Sequence, residues 1–150
     1  MTLQEAYDFF ESLKNETTQK SEMKVYEKFL HILKELKLRE FSKDEIQSIE
    51  IELDSLNLNS NPGNRKKYFK KALRKFQSYL KDTFSLTSKG YYTNLGIALG
   101  SSFGVLFGVV FLSSFERSLG IALALIVGML IGLTIGRYMD SKVEATGSML

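Results

Sequence analysis

The chain has 150 residues, no cysteine and a formal net charge of +3. The missing cysteine excludes disulfides, thiolate catalysis and cysteine-ligated metals. The charge is unevenly placed: residues 1–61 hold eight Lys/Arg against thirteen Asp/Glu, and residues 64–81 hold eight Lys/Arg and no acid. The mild basicity is therefore one local block rather than a property of the whole chain.

The first stretch, "MTLQEAYDFFESLKN", is acidic and amphipathic. It lacks the basic start and apolar run of a secretory signal, so the segment ahead of the apolar region is expected to stay in the cytoplasm. Leu3, Ala6, Tyr7, Phe10 and Leu13 share one helical face. In residues 21–38 the same period gives a face of Met23, Tyr26, Leu30 and Leu33, flanked by Val25, Phe29, Ile32 and Leu36. Ser42 stands three residues before Glu45, a capping box that opens a helix through Ile46, Ile49, Leu53 and Leu56. "NLNSNPGN" carries Pro62 and Gly63 and reads as a loop. Asn64 can cap the basic helix over residues 64–82, whose seam is Phe69, Leu73, Phe76 and Leu80. Residues 1–82 are thus predicted to form an all-α cytosolic bundle, small enough to need support from self-association or a membrane. Residues 83–91 are polar and read as a linker.

Two apolar segments follow. Residues 95–115 and 119–135 contain no charged side chain, and at about 1.5 Å per residue both are long enough to cross a hydrocarbon layer. The pattern predicts transmembrane helices over 92–115 and 119–137, a tight turn at 116–118, and a cytosolic tail over 138–150. So short a link returns the second helix antiparallel to the first. Tyr91, Tyr92 and Tyr138 lie where interfacial aromatics gather. Lys75, Lys81 and Lys89 precede the first span and Arg137 and Lys142 follow the second, whereas the loop offers Arg117 beside Glu116. The positive-inside rule then places both termini in the cytoplasm.

Each apolar segment carries a small residue at every fourth position: Gly96, Gly100, Gly104 and Gly108 in the first, and Gly120, Ala124, Gly128, Gly132 and Gly136 in the second. Glycine lowers helix propensity by about 1 kcal/mol in water. In lipid, helices associate by close van der Waals contact, and small residues let their backbones approach. A four-residue stripe drifts around a helix of 3.6 residues per turn, which favours a right-handed crossing. Such stripes can close one hairpin within a chain, join chains into a homo-oligomer, or do both. Leu99, Phe103, Phe107 and Phe111 form a bulky ridge beside the first stripe.

With these two stripes and the short link between them, the chain resembles the glycine-zipper two-span membrane proteins of bacteria, small helical-hairpin proteins of unknown function. "IGLTIGRYMDSKVEATGSML" is similar to the C-terminal end of many small bacterial proteins of that kind. The resemblance implies a multi-pass protein of the bacterial inner membrane. Some members are exported lipoproteins with a lipidated cysteine near the N-terminus. This chain has neither that cysteine nor an export signal, so an envelope-lipoprotein role does not carry over.

The basic block, Arg65, Lys66, Lys67, Lys70, Lys71, Arg74 and Lys75, has three readings: a solvated face of the bundle, a surface for anionic lipid head groups, or a nucleic-acid site. Its aromatics lie along the helix seam instead of alternating outward, which argues against nucleic acid. Its place just ahead of a span favours the anionic cytoplasmic leaflet, where each cation is worth about 1 kcal/mol. His31 stands between Leu30 and Ile32 and reads as a packing or surface residue, not a ligand or base. The acids of "EFSKDEIQSIEIELD" lack EF-hand spacing, and no phosphate-binding loop is present. No nucleophile has a base at a motif spacing, so no catalytic residue, metal or cofactor is assigned. The expected function is interaction: a self-associating membrane scaffold or adaptor whose cytosolic bundle takes a protein partner. The alternative is an oligomeric pore or membrane-perturbing effector gated by that bundle. A pore needs polar groups along a lumen; only Ser101, Ser102 and Thr134 are at hand, and no ionisable residue lies at mid-depth.

Overall fold

Thr2 opens the first helix, α1 (Leu3–Glu16), through a capping box with Glu5. α2 spans Lys20–Lys37. α3 (Lys43–Ser55) begins at the Ser42/Glu45 capping box read from the sequence, and α4 (Arg65–Phe84) begins at Asn64, whose side chain accepts from the Lys67 N–H at 3.0 Å. Two long apolar helices follow, α5 (Tyr91–Phe111) and α6 (Arg117–Ala145). The computed structural model describes residues 1–60, 62–111 and 117–150, and of residues 117 and 118 the backbone alone. Among the described residues the fold is all-α, with no strand.

The chain divides into two compact units, Met1–Thr87 together with Leu150, and Ser88–Met149. In the first, α1, α2 and α4 surround an aromatic core. Phe10 stacks on Phe29 with centroids 4.1 Å apart, and Phe69 meets Phe10 and Tyr26 edge-on at 5.7 and 5.5 Å. Tyr26 is fully buried; burial, reinforced by the nearby Glu22 carboxylate, pushes its phenol above the ordinary value. The whole predicted seam of α4, Phe69, Leu73, Phe76 and Leu80, is inside, and α3 adds Ile49 and Leu53. The α2 face is wider than its period alone indicates. Val25, Phe29, Ile32 and Leu36, read as a flank, are buried with Tyr26 and Leu33, while Met23 and Leu30 are half-buried. The reason is that α2 packs against α1 on one side and α4 on the other.

Polar ties fix α3 and the loop after it to α4. The Tyr68 hydroxyl donates to the carbonyls of Leu56 (3.0 Å) and Asn57 (2.8 Å), and Tyr79 donates to the Ser48 hydroxyl at 3.0 Å. Lys75 pairs with Glu52 at 3.2 Å. α4 stops at Ser85, which takes a left-handed conformation (φ 57°), and the Leu86 N–H turns back to the Leu80 carbonyl at 3.2 Å. Leu86 and Thr87 are buried in this unit, so part of the stretch read as linker closes the bundle.

α5 and α6 form the second unit and pack antiparallel, as the descending register of their contacts requires. The expected turn at 116–118 falls in part on residue 116, and the end of the first span on 112–115; these lie outside the described residues. Residues 117 and 118 already belong to α6. α6 also continues eight residues beyond the predicted boundary at 137, so the first part of the expected tail is helical.

Candidate functional site

Four-residue spacing places the small residues of each apolar helix on one winding row, and the two rows meet. Gly96 lies against Gly132, Gly100 against Gly128, Gly104 against Ala124, and Gly108 against Gly120 and Ile121. A side chain at Gly96, Gly100, Gly128 or Gly132 would run into the backbone carbonyl of its opposite number. A Cβ on Gly104 would stand 3.0 Å from the Leu125 Cα, and one on Gly108 would stand 2.9 Å from the Ile121 Cα. Gly136 packs on the α5 start, where a Cβ would be 2.6 Å from the Thr93 Cα. All nine small residues singled out from the sequence therefore lie along a single seam at backbone-to-backbone distance.

The seam inverts the usual arrangement of large and small. Gly104, Gly108, Gly120, Gly132 and Gly136 are its buried residues, whereas Phe103, Phe107 and Phe111 are 59%, 59% and 68% exposed. The two flanks of the seam also differ. On one, Ile97, Ile121, Leu125 and Leu133 are half-buried and take no part in lining a groove. On the other, a groove of about 610 Å³ runs over the glycines between a wall of Leu99, Phe103 and Phe107 and a wall of Leu123, Val127 and Ile131.

Three hydroxyls of the pair bond to carbonyls of their own helices. Ser101 donates to the Ile97 carbonyl (2.7 Å), Ser102 to that of Ala98 (2.9 Å) and Thr134 to that of Ile131 (2.8 Å). One contact was not foreseen from the sequence. Asp140 continues the α6 row one step past Gly136, and its carboxylate accepts from the backbone N–H groups of Tyr92 and Thr93, both at 3.0 Å. Free N–H groups and the positive end of the macrodipole make a helix start a good seat for a carboxylate. The available signal was the spacing itself: an acid at the next fourth position after a run of small residues.

The basic residues of α4 do not act as one set. Lys67, Lys70, Lys71 and Arg74 form an exposed strip opposite the buried seam and make no ion pair among the described residues. Lys66 is exposed on the near flank, at the rim of a polar pocket that Glu16, Glu22 and Arg65 also line. Arg65 is half-buried there, and Lys75 is taken by Glu52 and by the Ser55 hydroxyl at 2.8 Å. His31 is exposed on α2. Compared with known proteins, the chain matches no family model, no characterised protein and no solved structure.

Proposed function

We propose that the chain is an integral protein of the bacterial inner membrane. In this reading α5 and α6 cross the bilayer as a glycine-zipper hairpin, both termini are cytoplasmic, and the bundle serves as a scaffold or adaptor domain. The observation that carries the reading is the inverted packing of α5 and α6. Both helices are long and apolar enough to cross a membrane, yet only 11% and 17% of their apolar stretches are buried. A core helix of a water-soluble protein is mostly enclosed. The Leu, Ile, Val and Phe turned outward on both apolar stretches make a surface far larger than a soluble monomer tolerates, and in lipid the same surface costs nothing.

Self-association is supported by the two unequal flanks of the seam. One carries half-buried aliphatic side chains, and the other leaves a glycine-floored groove of the kind at which membrane helices pack by close approach. A pore is less well supported, because the hydroxyls of Ser101, Ser102 and Thr134 are bound to their own helices and the groove lining is apolar. Two measurements test the proposal. The chain should resist alkaline carbonate extraction from membranes, and its native mass in nanodiscs should be a multiple of the 17.1 kDa protomer. Extraction by carbonate overturns the spans, a strictly monomeric mass overturns self-association, and ion flux through liposomes favours the pore.

A further inference from the structure

We infer that the α4 strip of Lys67, Lys70, Lys71 and Arg74 is a docking face for an anionic membrane surface, engaged by charge alone and without insertion of the helix. The inference rests on the proposed membrane reading and names a partner for the bundle. Three observations carry it.

The first concerns what α4 can offer. An amphipathic helix that lies in a membrane interface buries its apolar face among the acyl chains. In α4 that face is committed elsewhere: Phe69, Leu73, Phe76 and Leu80 are 5% exposed or less, within the bundle core. The face left over is the cationic one. It can rest on head groups while the bundle stays shut.

The second is the absence of counter-charge. The four cations recur at three- and four-residue intervals, so they project in one direction over about 10 Å of helix. α4 has no acid before Asp82. The acids that do reach α4 lie on its flanks, with Glu52 on Lys75 and Glu16 and Glu22 near Arg65 and Lys66. Among the described residues the fold thus sets acids beside the edges of the block and pairs none with its centre.

The third is that the strip begins with a charge that works against the helix that bears it. Cations stabilise a helix near its C-terminus and oppose the macrodipole near its start. α4 has Arg65, Lys66 and Lys67 in its first turn and no acid there. Folding stability does not account for that placement, whereas complementarity to a negative surface does. A bilayer supplies such a surface at short range, since α4 ends at Phe84 and α5 begins at Tyr91. Leu86 and Thr87 are held in the bundle, so the stretch from Thr87 to Tyr91 is the tether, and it reaches about 14 Å at full extension. The tether gives the strip a high effective concentration at the leaflet.

The test uses the full chain in proteoliposomes. Because the protein has no cysteine of its own, Ser78→Cys on the exposed side of α4 takes a single donor dye, with an acceptor on lipid head groups. Transfer should be higher in vesicles rich in phosphatidylglycerol than in purely phosphatidylcholine vesicles, and should fall to the neutral level as salt rises and screening shortens the reach of the charges. Replacing Lys67, Lys70, Lys71 and Arg74 by Gln should abolish the difference, since about fivefold in adsorption per cation compounds to several hundredfold over four. Equal transfer in both lipids, in chains that resist carbonate equally well, overturns the inference and leaves the spans standing. Composition-dependent transfer in a chain that carbonate strips away keeps the inference and overturns the spans. Tight binding of a short oligonucleotide with no response to lipid composition overturns it in favour of nucleic acid.

Discussion

The bundle and the α5–α6 pair are both helical, but they sort their side chains in opposite directions. In the bundle Phe10, Phe29, Phe69 and Phe76 are inside and lysines and acids are outside. In the pair the backbone of glycine is inside and Phe103, Phe107 and Phe111 are outside. On the proposed reading, the difference follows from what drives each contact. Water expels apolar side chains, so a helix in water gains most by burying its largest ones. Lipid does not distinguish leucine from its own chains, so helices there gain by bringing backbones together, and the smallest residues mark the contact. On the proposed reading, the same residue type should have opposite value in the two units.

The sharpest way to break that comparison is to truncate a phenylalanine in each. Phe76 is fully buried and stacks near Phe29, with centroids 6.4 Å apart. Phe76→Ala should cost about 3–5 kcal/mol, the range for emptying a large core site. Phe111→Ala, 68% exposed on the ridge and outside the groove walls, should stay within about 0.5 kcal/mol. Denaturant unfolding of the full chain in mild detergent measures both. Comparable losses would mean that Phe111 is enclosed by something and that this end of the ridge is not a free surface.

The reverse substitution probes the seam. Gly128→Leu places bulk against the Gly100 carbonyl and the Gly104 backbone, where a Cβ would already be 2.9 Å from the Gly104 Cα. The contact cannot give way by a side-chain rotation, because the obstacle is main chain. A loss of about 1–3 kcal/mol is expected, as for overpacking a tight site, read as reduced cross-linking between cysteines placed on α5 and α6. Phe107→Leu serves as the control and should leave cross-linking unchanged. Leucine at Gly100, Gly104, Gly128 and Gly132 together with undiminished cross-linking would show that close approach is not what the glycines provide.

Much of this arrangement is legible in the sequence, and its limits have physical causes. The capping box of Ser42 and Glu45, the Asn64 cap and the α4 seam are local patterns, each set by residues within a turn or two, and each stands in the structure where the pattern puts it. The two glycine rows are equally local, which is why their positions could be read without knowing what they touch. The end of α6 could not be read in the same way. Arg137, Asp140 and Lys142 end an apolar run, but polarity terminates a span and not a helix, and α6 continues to Ala145. Asp140 was missed because its partners, the N–H groups of Tyr92 and Thr93, are nearly fifty residues away. Finding them requires the register between two helices, which no single-helix period contains. The breadth of the buried α2 face is likewise a matter of having two neighbours, not of its own sequence.

That contrast between local and distant capping sets the next expectation. The first unit caps α1, α3 and α4 from the residue just ahead of each helix, whereas α5 takes its cap from the far helix through Asp140. Asp140→Ala should cost about 0.5–2 kcal/mol, the usual range for a lost cap, and should act on the pairing of α5 with α6 as well as on the α5 start. Cross-linking near Tyr92 and Gly136 should fall, while pairs near Gly108 and Gly120 keep their yield. Asp140→Asn, which keeps an acceptor and loses the charge, should lie between. A uniform loss along the seam would show that Asp140 holds the register of the whole pair.

The smallest effect belongs to the corresponding cap in water. The Glu45 carboxylate accepts from the Ser42 backbone N–H at 2.8 Å and from its hydroxyl at 2.9 Å. The backbone bond, then the hydroxyl bond, hold the carboxyl below its ordinary value of 4.5. A carboxyl whose pKa is lower folded than unfolded binds its proton more readily in the unfolded chain. Its contribution to stability is therefore complete above the unfolded value and is lost as the pH falls through the folded one. Glu45→Gln can still accept from the Ser42 N–H through its amide oxygen but does not titrate. Subtracting the unfolding curves of the two proteins should leave a difference that is constant above about pH 6 and shrinks as the solution is acidified through the carboxylate range. Because Glu45 is on the surface, salt should trim this difference, whereas it should leave the Phe76→Ala loss untouched. A difference that grows on acidification would mean that the protonated carboxyl is the better cap, and the local capping box would then owe nothing to charge.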